Sequence, residues 1–335
     1  MKKRGKRYIA KPRKKEGFMQ AVIALMFSQI LIKVLGLVYN LYLTNKQGFG
    51  DEGNAISGGA YQIYALLLTI SSIGVPNAIS KLVSARTAVG DERGAHRIFK
   101  IAIGTFAVIG LIGSAILFFG ARFIANTLLQ IPEAELTLVA LSPAIFFVAI
   151  SSVIRGYFNG KQNMRATANS QTLEQLFKTT LTIGMVAVVS ILSNVNTVLM
   201  AAAANLATTF SIFLSFSYLY IFYKRQRRDV WKDVQSSPVQ KKESIPSVVK
   251  KILCTSIPMA LSSMMSAINK NIDSFTVVRS LKKFLPEAEA KAQYGILGGK
   301  VDTLTSLPLS FNIAFATALV PTISAAMAKG DPKTA

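Results

Sequence analysis

Ionisable side chains set inside long apolar runs are the residues of this chain with chemistry to offer. A charge at mid-bilayer costs about 2.5–3.5 kcal/mol on insertion scales, so such a residue faces a cavity, a partner or an interface. Lys33 is the deepest of them. It follows Phe18 by fifteen residues, about 22 Å along a helix that rises 1.5 Å per residue. Gln29, Lys33, Gly36 and Asn40 are spaced i, i+4, i+7, i+11 and form one polar or small stripe. Such a stripe facing a central cavity suits an anionic headgroup. The competing reading is a helix-contact face from which Lys33 reaches the outer interface. Lys178 shares a helical face with Gln171, Glu174 and Gln175. Glu174 at i−4 is expected to neutralise it, and a place in the same cationic cavity competes with snorkelling. Further on, Ser262, Ser266, Asn269 and Asp273 lie along one stripe, with Lys270 close by. A carboxylate among amide and hydroxyl oxygens is a candidate Na⁺ or proton site, and a Lys270–Asp273 ion pair is the alternative.

Other chemistries are excluded by what is missing. His96 is the sole histidine and Cys254 the sole cysteine, so no His-based triad, multi-His or multi-Cys metal site or internal disulfide can form. There is no GxxxxGK[ST] phosphate loop and no aspartate pair of the kind that Mg-dependent prenyl-diphosphate enzymes use. The chain is therefore expected not to be an enzyme, and to carry no cofactor beyond coupling to Na⁺ or H⁺. A formal charge of +22 suggests nucleic acid until the charges are placed. They sit beside apolar segments without interleaved aromatics, which points to the anionic inner leaflet instead.

The elements that must position these residues are membrane helices. Eight apolar segments, 18–43, 57–80, 98–120, 136–158, 172–192, 196–222, 252–278 and 296–325, are each long enough to cross a hydrocarbon core of about 30 Å. The expected fold is an all-α integral membrane protein with about eight transmembrane helices. Of the 38 Lys and Arg, 28 fall in the termini, in alternate loops or at the segment edges that flank those loops, six in the other loops and four deeper inside segments. That asymmetry places both termini in the cytoplasm. The first apolar run is too long for a signal-peptide core and reads as an uncleaved span. The expected organisation is a basic tail (1–17), a six-helix lobe (18–222), a cytoplasmic linker (223–250) and the first two helices of a second lobe (251–335). An internal echo supports the second lobe: Val75-Pro76, Ile79-Ser80 and Gly90-Asp91 return as Val320-Pro321, Ile323-Ser324 and Gly330-Asp331. The repeats are six spans apart, so the lobes share orientation about an axis along the membrane normal.

Several stretches carry a resemblance. Arg155-Gly156-Tyr157-Phe158-Asn159-Gly160-Lys161-Gln162-Asn163-Met164, Gln171-Thr172-Leu173-Glu174-Gln175-Leu176, Tyr294 through Lys300 and Leu319 through Ser324 resemble the SpoVB/MurJ-like branch of polysaccharide exporters. That branch lies in the multidrug/oligosaccharidyl-lipid/polysaccharide (MOP) flippase superfamily. The resemblance implies two six-helix lobes, of which this chain would be a C-terminally truncated fragment. It implies a bacterial cytoplasmic membrane location. It also implies movement of an undecaprenyl-diphosphate-linked saccharide between leaflets by alternating access. Under it, Lys33 would belong to the cationic cavity and Asp273 to a cation site; Gln29, Asn40 and Lys178 beside the first, and Asn269 and Ser266 beside the second, are the candidates that spacing adds. A cation-coupled drug exporter of the MATE type and a membrane scaffold for envelope or spore-coat assembly stand as alternatives. Oligomeric state is left open.

Overall fold

The computed structural model describes residues 18–68, 74–129, 131–237, 243–281 and 283–286, with 316, 319, 320, 323, 324, 326 and 327. Among these residues the regular structure is helical: α1 (Phe18–Asn45), α2 (Gly50–Leu68), α3 (Val75–Ala88), α4 (Glu92–Phe123), α5 (Glu135–Gly160), α6 (Arg165–Leu192), α7 (Thr197–Ser236) and α8 (Ile245–Leu281). Five stretches, in α1, α4, α5, α6 and α7, are long and apolar enough to cross a membrane. The chain is an all-helical, multi-pass membrane protein.

The structure divides the segment expected at 57–80. α2 begins earlier, at Gly50, and ends at Leu68, and a separate α3 starts at Val75. Pro76 sits in the first turn of α3, where its missing N–H costs nothing, whereas deeper in a continuous helix it would break a hydrogen bond. Gly74 precedes it, and a Cβ there would lie 2.8 Å from the backbone of Ser256 and Ala260, so α8 packs directly against this corner. α7 also runs beyond Phe222 to Ser236, carrying the basic stretch after it as helix. The eighth apolar segment and the basic tail fall wholly or largely outside the described residues.

α5 is the central post. Of its apolar span 67% is buried, against 11% for that of α1. Two apolar layers stack along its length. One gathers Leu43, Phe49, Tyr64, Leu117, Ile145 and Met200; the other gathers Ile79, Phe99, Tyr157, Phe158, Leu219 and Ile252. Pro143 interrupts α5, freeing the carbonyl of Val139, and the Ser142 hydroxyl donates to that carbonyl at 2.8 Å. In hydrocarbon such a substitution is needed, because no water can fill the gap.

Near its C-terminal end α5 is shaped for close approach. A Cβ on Gly156 would stand 2.7 Å from the Pro76 carbonyl, and one on Gly160 would stand 2.9 Å from the Ser80 carbonyl. Small residues at these two turns let α3 lie against α5, the usual means of packing membrane helices.

The ends of α3 and α7 and the starts of α4 and α8 meet at the basic end of the lobe. Asp91 caps α4 by accepting from Gly94 N at 2.8 Å and pairs with Arg86 at 3.0 Å. Ser237 donates to the Gly90 carbonyl at 2.9 Å and accepts from Glu92 N at 3.1 Å. Glu243 bridges Arg86 and Lys251, fastening α8 to α3.

Candidate functional site

α1 and α6 run parallel, side by side. Ser28 donates to the Ala168 carbonyl at 3.1 Å, Gln29 donates to Gln171 at 3.1 Å, and Thr179 donates to the Leu35 carbonyl at 3.2 Å. The sequence offset is 140 to 144 residues throughout. The pair therefore holds one register, and Lys33 is level with the turn that precedes Lys178.

A helix advances 100° per residue, which sorts the surface of α1. Ser28, Leu35 and Tyr42 face α6. Phe27, Val34, Leu37, Val38 and Leu41 are exposed apolar residues on the opposite side, as lipid-facing residues should be. Gln29, Lys33, Gly36 and Asn40 occupy the edge between. On it Gln29 bonds Gln171, and Gly36 lies against Gln175, which a Cβ would meet at 3.7 Å. Lys33 and Asn40 are exposed on the same edge. The four-residue stripe read from spacing is a real surface, and α6 continues it with Gln171 and Gln175.

Lys178 enters differently. Its ammonium lies over two tyrosine rings, 5.2 Å from the centroid of Tyr39 on α1 and 4.7 Å from that of Tyr61 on α2. The rings supply a negative face that shelters a cation without neutralising it. Tyr61 comes from a helix whose sequence gives no sign that it meets α6, so spacing could not have found it.

Glu174, the i−4 neighbour of Lys178, also serves Arg155. Its carboxylate accepts from Arg155 at 2.6 Å, a short charge-assisted bond. Arg155 is not the loop charge that its position suggests. It is 8% exposed, and it donates to Ser170 at 2.9 Å and to Ser215 at 3.0 Å. One turn on, Asn159 accepts from Thr167 at 2.6 Å. The Arg-Gly-Tyr-Phe-Asn-Gly stretch is thus scaffold: Arg155 and Asn159 bind α6 and α7, Gly156 and Gly160 admit α3, and Tyr157 stacks on Phe99 at 4.3 Å.

Ser266, Asn269 and Asp273 lie on α8, but their side chains are outside the described residues. His96, expected in a loop, is instead buried in the first turns of α4.

Chemically, the α1–α6 edge is a strip of amide and ammonium donors at mid-span, flanked by tyrosines. It can hold an oxyanion and hydroxyl groups. It contains no nucleophile–base pair, and no group of three or more potential metal ligands occurs among the described residues.

Comparison with known proteins fits this picture. The family model described as "Polysaccharide biosynthesis protein" matches residues 18–327. Stage V sporulation protein B of Bacillus subtilis is 30% identical over 315 residues, covering 93% of this chain and 59% of that protein. The lipid II flippase MurJ of the same organism is 24% identical over 323 residues, covering 94% and 59%. The chain thus spans about three-fifths of the length of these relatives. Among solved structures, a MATE protein in complex with MaD5 superposes with a TM-score of 0.71 at 17% identity, over 96% of this chain and 71% of the other. A MOP superfamily transporter from Pyrococcus furiosus gives 0.65 at 17%, over 96% and 67%.

Proposed function

The chain belongs to the polysaccharide biosynthesis protein family, and on that premise we propose that it forms part of a flippase for a lipid-linked saccharide. The cargo class is an undecaprenyl-diphosphate-linked saccharide, such as a peptidoglycan or polysaccharide precursor. The observation that carries this reading is the α1–α6 edge. Lys33 and Asn40 are exposed there at mid-span, beside Gln29, Gln171 and Gln175. A diphosphate meets its barrier in the hydrocarbon, where an unscreened charge is most costly. Ammonium groups lower that barrier for the phosphates, and side-chain amides suit saccharide hydroxyls.

In this reading the described lobe is one wall of an alternating-access cavity, and the second lobe that begins with α8 is the other. The basic end of the lobe faces the cytoplasm of a bacterial cell, in keeping with the charge asymmetry of the loops. Asp273, Asn269 and Ser266 on α8 would hold a coupling Na⁺ or proton. The relative with an assigned activity is a flippase, consistent with a carrier and not a catalyst.

The test is protein-dependent flipping in proteoliposomes carrying the full-length protein and a fluorescent undecaprenyl-diphosphate saccharide, read by an outside quencher. Wild type should expose the probe, and Lys33→Ala should lose at least about ten-fold in rate, the equivalent of 1.4 kcal/mol, while inserting normally. Unchanged flipping by Lys33→Ala would remove this edge from the transport path. No flipping of the lipid under any ion gradient, together with export of drugs, would make the protein a MATE-type exporter.

A further inference from the structure

Away from the α1–α6 edge, the basic ends of α4 and α7 flank a cavity of about 270 Å³. Lys100, Lys224 and Arg227 line it, and no carboxylate does. The Lys100 ammonium stands 5.6 Å from the centre of the Trp231 ring, and the His96 ring meets Trp231 edge-on at 6.1 Å. His96 is 6% exposed, and its Nδ1 is buried without a hydrogen-bond partner. Buried polar nitrogens are nearly always bonded, and with its proton on Nδ1 the His96 ring would donate to an oxyanion held by the cations of this cavity. A second cavity of about 540 Å³ shares His96, Lys100 and Trp231. Its carboxylates, Asp91 and Glu243, are already engaged by Arg86 and Lys251.

The surroundings decide between a soluble anion and an amphiphile. Above Lys100 on α4, Gly104, Val108 and Leu111 continue the same exposed face at i+4, i+8 and i+11. On α7, Tyr220 and Phe213 are exposed in line with Lys224 and Arg227. A cationic cleft rimmed by Tyr220 and Trp231 and running into apolar faces has the layering of a bilayer interface. A free phosphate would use only the cations. We propose that this cleft is a binding site for the phosphate of an acidic phospholipid, separate from the transport edge. Lys100, Lys224 and Arg227 engage the phosphate oxygens, His96 supplies a further polar contact, and the acyl chains lie on the exposed face of α4. A lipid held here anchors the α4–α7 end of the lobe in the anionic leaflet.

Trp231 is the sole tryptophan of the chain, so its fluorescence reads the site without labelling. The 335-residue chain is placed in nanodiscs containing phosphatidylcholine plus a minor fraction of brominated lipid. Brominated phosphatidylglycerol should quench Trp231 more than brominated phosphatidylcholine at equal mole fraction. Each engaged cation favours the acidic lipid by about five-fold, or 1 kcal/mol. The double variant Lys224→Gln/Arg227→Gln should abolish the preference. Arg225→Gln/Arg228→Gln, equal in charge change and on the same helix but outside the cavity lining, should keep it. Equal quenching by the two lipids, or equal loss in both double variants, would overturn the site. If inorganic phosphate erases the preference in wild type, the ligand is a soluble phosphoanion and the lipid assignment falls.

Discussion

Arg155 and Lys178 are two cations of one helical lobe with opposite surroundings. Arg155 is enclosed by a carboxylate and two hydroxyls, so its charge is matched and its donors are spent. Lys178 lies over Tyr39 and Tyr61, which favour a cation, with the Glu174 carboxylate near it on the same helix. The difference separates a charge used to build the lobe from one that, in the proposed function, meets the ligand. Without the Glu174 carboxylate, Arg155 would be buried uncompensated.

The comparison is broken most directly at Arg155. Removing one partner of a buried pair leaves the other uncompensated and costs about 3–5 kcal/mol. Arg155→Ala should therefore lower the thermal unfolding midpoint in detergent far more than any change on the α1–α6 edge. Replacing both Arg155 and Glu174 by Met should recover much of the loss, since well-packed apolar residues often equal a buried ion pair. A double variant no better than Arg155→Ala would mean that Ser170 and Ser215, not the carboxylate, carry the effect.

Lys178→Met should show the reverse pattern. Loss of the stacked ammonium costs folding about 1 kcal/mol or less, while a charged contact to a phosphate is worth about 1.5–3 kcal/mol. Flipping in proteoliposomes should fall roughly ten- to hundred-fold, with the unfolding midpoint nearly unchanged. Equal losses of stability and transport would place Lys178 with Arg155 among the structural charges.

This division was only partly legible in sequence. The apolar lengths and the stripe at Gln29, Lys33, Gly36 and Asn40 are local properties of one helix, and the structure keeps them. What failed was pairing across helices. Local i, i+4 proximity pairs Glu174 with Lys178, but its bond from Arg155 depends on how α5 packs against α6, and sequence spacing carries no information about that. Tyr61 was invisible for the same reason. The division of the 57–80 segment was signalled by Gly74 and Pro76. Apolar length outweighed them, although a proline is easiest to place at the start of a helix. The Arg-Gly-Tyr-Phe-Asn-Gly stretch reads by position as the edge of a loop, and its buried hydrogen bonds mark it as a joint between helices.

The smallest effect separates ion pairs by medium. The carboxylates of Glu174 and Glu243 are equally exposed, at 28%, but Glu243 lies at the basic end of the lobe, between α7 and α8. The hydrogen bond from Lys251, with the charge of Arg86 beside it, holds the Glu243 carboxyl below its ordinary value of 4.5 against partial desolvation. A depressed folded pKa means that the stabilisation is complete above the ordinary value and disappears as pH falls through the folded one. In water such a bridge is worth about 1 kcal/mol or less and is screened by salt. Glu243→Gln should therefore lower the unfolding midpoint slightly at neutral pH. The gap to wild type should close in acid, and also at about 1 M salt. The Arg155–Glu174 pair, within the membrane-spanning part of the lobe, should be indifferent to that salt. If Glu243→Gln costs as much as Arg155→Ala, or its gap survives high salt, position along the membrane normal does not set the strength of these pairs.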